Sequence, residues 1–257
     1  MTKAAARCTI SAIFAAAAVV YACTDISGSS TAVLSIQFDT LPVPAVVVGD
    51  TLRDTTGAVV HPVVRAFNFK GGEISPAPIW FQSPDSGVTA DSVTGIVTAD
   101  SLLPSSARII ATVGTLQAIQ RVDVTLRPDF IQAVTAIDTL EYSLLDSTKN
   151  VSAELQVKLG HGVAPNDSAV KSYIVSFEIV YPVDSQPGEL INGLNRPSMI
   201  DTTDATGIAG RKIRLHPVLL SSPTAVDSIV VNATTRYRGA PVSGSPVRLV
   251  VLYKPLS

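Results

Sequence analysis

The residues able to do chemistry are few and scattered. The three histidines, His61, His161 and His216, stand apart along the chain. None has a second histidine, a cysteine or a carboxylate at metal-ligand spacing, so they read as surface or turn residues. No G-x-S-x-G elbow, H-E-x-x-H pair, phosphate-cradling glycine loop or EF-hand loop occurs. Serine and aspartate are so frequent that any Ser/His/Asp triple can be assembled at will, which deprives such a triple of meaning. Asp85, Asp91, Asp100, Asp201 and Asp204 offer loop oxygens, but calcium takes about six to eight of them. The dense D-x-[DN]-x-[DN] arrangement is missing, so turn capping is the expected role. Sequons occur at Asn150, Asn166 and Asn232. The sequence therefore assigns no catalytic residue, no metal site and no cofactor.

The one residue with a distinct chemical prospect is Cys23. Lys3 and Arg7 give a short positive start, and an uncharged apolar run, Ile10 to Ala22, follows. This charge–apolar–small layout is that of a secretory signal over residues 1–22. The run is shorter than the ~20 residues of a relaxed membrane-spanning helix. Val20, Tyr21, Ala22 and Cys23 resemble the bacterial lipobox. Membership of that class implies cleavage before Cys23, a diacylglycerol on its sulfur and an acylated new N-terminus. Ordinary secretion is the alternative. One acyl chain holds only marginally at ~0.8 kcal/mol per buried CH₂, whereas two or three make a lasting anchor. The partner implied is membrane lipid, through acylated Cys23. Residues 23–32 are small and polar and are expected to be a flexible tether. The inner-membrane retention signal resembles an aspartate directly after the cysteine. Here Thr24 takes that place, which leans towards an outer-membrane location in the cell envelope. Cleavage would also remove Cys8, leaving no disulfide in the mature chain. In a bacterial lipoprotein the three sequons carry no ordinary use.

The elements that follow must form a core without covalent help. Hydrophobic residues are 46% of the 257, ample for one or two domains. A net charge of -2 gives no basic excess to attract nucleic acid. Valine, threonine, serine and isoleucine dominate, and proline and glycine punctuate short apolar runs, so the expected class is all-β. Apolar runs begin at Ala32–Asp39 and recur at Ala45–Asp50, Val63–Phe69, Pro78–Ser83, Gly95–Asp100, Ala107–Val113 and Gln117–Leu126. Seven or so short strands with turns between them suggest a sandwich over residues 33–127. Trp80, the lone tryptophan, is expected at its centre, with Phe67, Phe69 and Phe81 packed around it; a carbohydrate-stacking platform is the sharper alternative.

Trp80, Ser83, Asp85, Gly95, Val97, Thr98, Ala99, Ile110, Ala111 and Thr112 give this segment a resemblance to bacterial Ig-like domains of group 2. These motifs are structural, so the resemblance implies a fold and not an activity. Pro128, in "LRPDF", reads as an interdomain joint. Residues 128–257 show further strands at Val151–Gly160, Ser172–Pro182, Thr203–Pro217, Asp227–Gly239 and Pro246–Pro255. Pro182 to Pro197 is expected to be a long loop. "TTDATGIAGRKIRL" resembles the turn and strand of group 1 bacterial Ig-like domains, in which Asp204 and Gly207 would shape a hairpin.

Two Ig-like β-sandwiches in tandem, behind a signal peptide and a tether, are thus expected. The role implied is a non-catalytic envelope module, serving as spacer, adhesion or protein-binding domain. The alternative is a carbohydrate- or glycan-binding accessory module. Envelope proteins, surface proteins or glycans are the candidate partners.

Overall fold

The computed structural model describes residues 32–163, 166–183 and 186–256. The signal, Cys8, Cys23 and nearly all of the tether lie outside these. Nine strands fall in the first half: β1 (Ser35–Phe38), β2 (Ala45–Val47), β3 (Asp50–Thr51), β4 (Val64–Phe67), β5 (Trp80–Gln82), β6 (Val88–Ala90), β7 (Val97–Ala99), β8 (Ala107–Val113) and β9 (Leu116–Thr125). They form a four-stranded sheet in the order β2-β9-β8-β5, a three-stranded sheet β3-β7-β6 and a two-stranded ribbon β1-β4. The inner faces bury Leu52, Phe81, Val97, Ile109, Val122 and Val124.

The second half is larger and more regular. Its strands are β10 (Phe130–Thr135), β11 (Ile137–Tyr142), β12 (Leu155–His161), β13 (Ser168–Ala169), β14 (Ile174–Tyr181), β15 (Gly188–Ile191), β16 (Ile200–Thr202), β17 (Ile208–Leu215), β18 (Asp227–Thr234), β19 (Arg236–Tyr237), β20 (Ala240–Pro241) and β21 (Val247–Pro255). One sheet runs β10-β12-β17-β15, with β13 also on β12; the other runs β11-β21-β18-β14-β16. Their facing sides enclose a second core that includes Tyr142, Leu155, Phe177, Ile213, Ile229 and Leu249. The whole is all-β, two sandwiches in series, as composition and alternation anticipate. Cys8 and Cys23 are the only cysteines, so no disulfide can staple either core, and burial of alternate side chains must hold each one.

Three expectations change. Pro182–Pro197 is not one loop, because β15 lies within it and pairs with β17. Its Leu190 and Ile191 are buried, a short apolar pair that proline and glycine neighbours disguise. The Asp204–Gly207 turn forms, with Asp204 accepting from Thr206 N, Thr206 Oγ1 and Ile208 N at 2.7–3.0 Å. Gly207 takes φ +79°, the left-handed region glycine tolerates. Yet the strands it joins do not pair with each other: β16 joins β14, and β17 joins β12 and β15. The turn passes the chain between sheets. Arg211 then sits buried at the crossing, bonded to Asp201 at 2.8 Å and to backbone carbonyls of Gly210 and Ile200. The same turn chemistry recurs at "DTTG", where Asp54 accepts from Thr56 and Ala58. An aspartate three residues before a glycine is therefore a folding device in both halves.

The third change is the tryptophan. Trp80 is 61% exposed, and its neighbour Phe81 is buried instead at 8%. Phe67 and Phe69 are only half-buried. Successive strand residues face opposite ways, so a one-residue difference in register moves a side chain from core to solvent. Phe81 lies opposite buried Ala111, whose small side chain leaves room for the ring. Truncating the two aromatics should separate their roles. Phe81→Ala should cost about 3–4 kcal/mol in urea unfolding, and Trp80→Ala within about 0.5 kcal/mol. Equal losses would mean that both rings support the core.

Candidate functional site

Two places bring polar groups together: the joint between the sandwiches and the outer face of the β2-β9-β8-β5 sheet. The joint is built on Asp50, at the start of β3, whose side chain is 3% exposed. A buried carboxylate needs donors, and Asp50 has four. Thr51 N at 2.8 Å and Arg53 Nε at 3.1 Å donate to Oδ1. Across the joint, Tyr237 OH at 2.9 Å and Arg238 Nε at 2.7 Å donate to Oδ2. Burial alone would raise the carboxyl pKa, but Arg238, Thr51 N–H, Tyr237 and Arg53 together hold it well below the usual carboxylate range. The Tyr237 hydroxyl is pushed up, first by burial and then by the bond to Asp50.

Backbone interlocks around this pair. Gly57 and Gly239 both have positive φ, +92° and +82°. A Cβ on Gly57 would stand 2.4 Å from the Arg238 carbonyl carbon, and one on Gly239 would stand 2.5 Å from Thr56 O. Neither loop admits a larger residue. Nearby, Asp123 accepts from Ser106 in its own sandwich and from Ser172 in the other, each at 2.5 Å. Ile174 packs on the first core and Leu126 on the second. A cavity of about 320 Å³ lies here, lined in part by Val43, Val47, Tyr173, Thr234 and Tyr237. Two of its polar groups serve the joint itself: Tyr173 OH donates to Arg236 O, and Asp50 accepts across it from Tyr237 and Arg238.

The other expected residues disperse. His161 Nδ1 meets Asp129 at 2.7 Å and Arg127 O at 3.0 Å, beside Pro128, and so belongs to the linker. His216 Nε2 lies 3.5 Å from Glu189, and His61 is exposed on the other sandwich. Asp91 caps a turn through Thr94, Asp85 holds Arg108, and Asp201 holds Arg211. Among the described residues no group of three His, Cys, Asp or Glu is placed to hold a metal. Cys23 lies outside the described residues. No helix among the described residues is long and apolar enough to cross a membrane.

The sheet face carries Trp80 outward, in the place that the stacking-platform alternative requires and the core reading does not. Outward residues of β5, β8 and β9 form rows in register: Trp80–Thr112–Gln117, then Gln82–Ile110–Ile119, then Arg108 opposite Arg121. Ile119 is 58% exposed. A depression beside Trp80 is lined partly by Gln82, Ser92, Thr112 and Gln117.

No protein-family model matches the chain, and no curated protein sequence matches it. Solved structures similar to it include domains 4 and 5 of the S-layer protein SbsC (TM-score 0.30, 12% identity, 86% of this chain and 96% of that one). Invasin, a bacterial integrin-binding protein, is similar at TM-score 0.31 and 11% identity, over 87% of this chain and 40% of that one. Human protocadherin-24 EC1-2 is similar at TM-score 0.27 and 13% identity, over 88% and 100%. The chain spans 27% and 29% of two longer SbsC structures. Likeness this distant identifies no shared activity.

Asp50→Asn should loosen the joint by about 1–3 kcal/mol, since Asn keeps the shape but loses the charge-assisted bonds. In the wild type a depressed Asp50 pKa contributes stability above the unfolded value of about 3.9, lost as pH falls towards the folded value. A raised Tyr237 pKa contributes below about pH 10 and is lost as pH rises through its folded value. Calorimetry from pH 7 down to about 1.5, through the window between the unfolded and folded values, should thus split one transition into two, with Asp50→Asn split already at pH 7. A single coincident transition throughout would refute the tie.

Proposed function

We propose that the protein is a lipid-anchored module of the bacterial cell envelope, held through acylated Cys23 in the outer membrane, whose two Ig-like sandwiches act without catalysis as spacer and docking domains. The observation that carries this reading is the joint. Asp50, Tyr237 and Arg238 fix one sandwich on the other with bonds of 2.7–2.9 Å. The glycine loops around them interlock backbone to backbone. Such a joint makes a defined unit of two domains, suited to presenting a surface at a set position, and needs no reaction chemistry.

The anchor is supported by the Val20–Cys23 segment and the apolar run before it. The small polar residues of 24–32 would let the folded part move relative to the bilayer. The group 2 and group 1 Ig-like resemblances support the same class of role.

Mass spectrometry of the membrane-extracted protein should find an N-terminal peptide beginning at Cys23 and carrying acyl chains. Cys23→Ser should move the protein from the membrane fraction to the soluble one. An unmodified wild-type peptide starting elsewhere would refute the anchor.

A further inference from the structure

We infer that the outer face of β5, β8 and β9, centred on Trp80, is a binding site for a polysaccharide, recognised by stacking and hydroxyl hydrogen bonds and not by charge. The site stands independently of the anchor at Cys23.

Trp80 presents an indole 61% exposed on a sheet, in a position that the core does not need. Beside it stand groups of one chemical kind. Thr112 is one strand across, about 5 Å away by ladder spacing; Gln117 is two strands across, about 10 Å; Gln82 is two residues along, about 7 Å. None of these three side chains has a hydrogen-bond partner among the described residues. The depression beside the indole runs between them and Ser92 of the β6–β7 turn.

That combination selects its ligand. A pyranose has an apolar C–H face and a rim of hydroxyls. The face stacks on the indole, while each amide offers both donors and an acceptor to neighbouring hydroxyls. An apolar protein patch would cover the same amides and leave them unsatisfied, which is costly. Single-stranded nucleic acid needs a basic track along its backbone as well as stacking, and this face has one unpaired cation.

That cation gives no charge preference. Arg108 is occupied by Asp85 at 2.8 Å. Arg121, opposite it in register, makes no ion pair among the described residues and is exposed. It lies on the same face as Trp80, two rows along and two strands across, about 17 Å away. Asp123 stands on the same outward parity of β9, two residues along, and Asp85 also acts on Arg121 electrostatically, so the face carries no net positive excess.

Affinity electrophoresis of the full chain in detergent, through gels holding polygalacturonate, alginate, hyaluronan or dextran, tests this. Retardation is expected, with uncharged dextran as well as with the acidic polymers. Trp80→Ala should weaken it at least about tenfold, and Trp80→Phe less. Gln82→Ala and Gln117→Ala should each weaken it about threefold or more. Arg121→Gln should leave the retardation unchanged. No retardation in any gel overturns the inference. So does unchanged retardation of Trp80→Ala, and so does a Trp80→Ala effect confined to self-association in sedimentation, which would make the face a contact between copies.

Discussion

The placement of one sandwich on the other depends on a single buried carboxylate. Asp50 cannot lie 3% exposed without donors, and its own loop supplies only Thr51 N–H and Arg53. The other oxygen is satisfied from the second sandwich, by Tyr237 and Arg238. Separating the domains would therefore strip two bonds from an ionised group, and water would have to replace them. Arg238 is 53% exposed, which moderates the cost. The glycines at 57 and 239 follow from the same demand. The loops bearing Asp50's partners must meet at backbone distance, so neither admits a Cβ. Asp123, shared by Ser106 and Ser172, repeats the device on a smaller scale.

Within each sandwich the constraint is different. No disulfide joins the sheets, so uninterrupted alternation has to supply the cohesion. It does so most fully in the second half. β12 buries Leu155, Val157 and Leu159, and β21 buries Leu249, Val251 and Tyr253 on one parity. The first half has shorter strands, and five of its nine have three residues or fewer. There the turns take a larger share: Asp54, Asp91 and Asn68 each accept backbone or hydroxyl donors within their own loops.

This division explains what could be read in the sequence. Long strands such as β8 and β9 declare themselves through period-2 burial over seven and ten residues. The Asp204–Gly207 turn was legible because its chemistry is local. The destination of the chain after that turn was not, since a turn does not state which sheet its flanks will join. The Asp50 tie was invisible for the same reason: its partners lie 187 and 188 residues away. β15 escaped notice because four residues between prolines carry no period.

Trp80 and Phe81 mark the sharpest limit, and a physical one. In a three-residue strand only the middle position is fixed inward once the parity is set, and two adjacent aromatics satisfy either parity. Propensity favours the larger ring inside, since full burial of a large apolar side chain is worth about 1.5–3 kcal/mol. The outcome is the reverse, and Ala111 shows why. The inward position opposite it is shaped for a phenyl ring, with Gly95 at φ +71° approaching the same ring so closely that an added Cβ would stand 3.2 Å from it. An indole would overfill that space. The core thus chooses Phe81 on volume, and Trp80 is left outward by register. Nothing in the packing then requires a tryptophan there; threonine or valine would hold a half-exposed edge strand as well. A large aromatic kept where folding does not call for it, beside amides that nothing among the described residues engages, is a residue whose reason lies outside the fold.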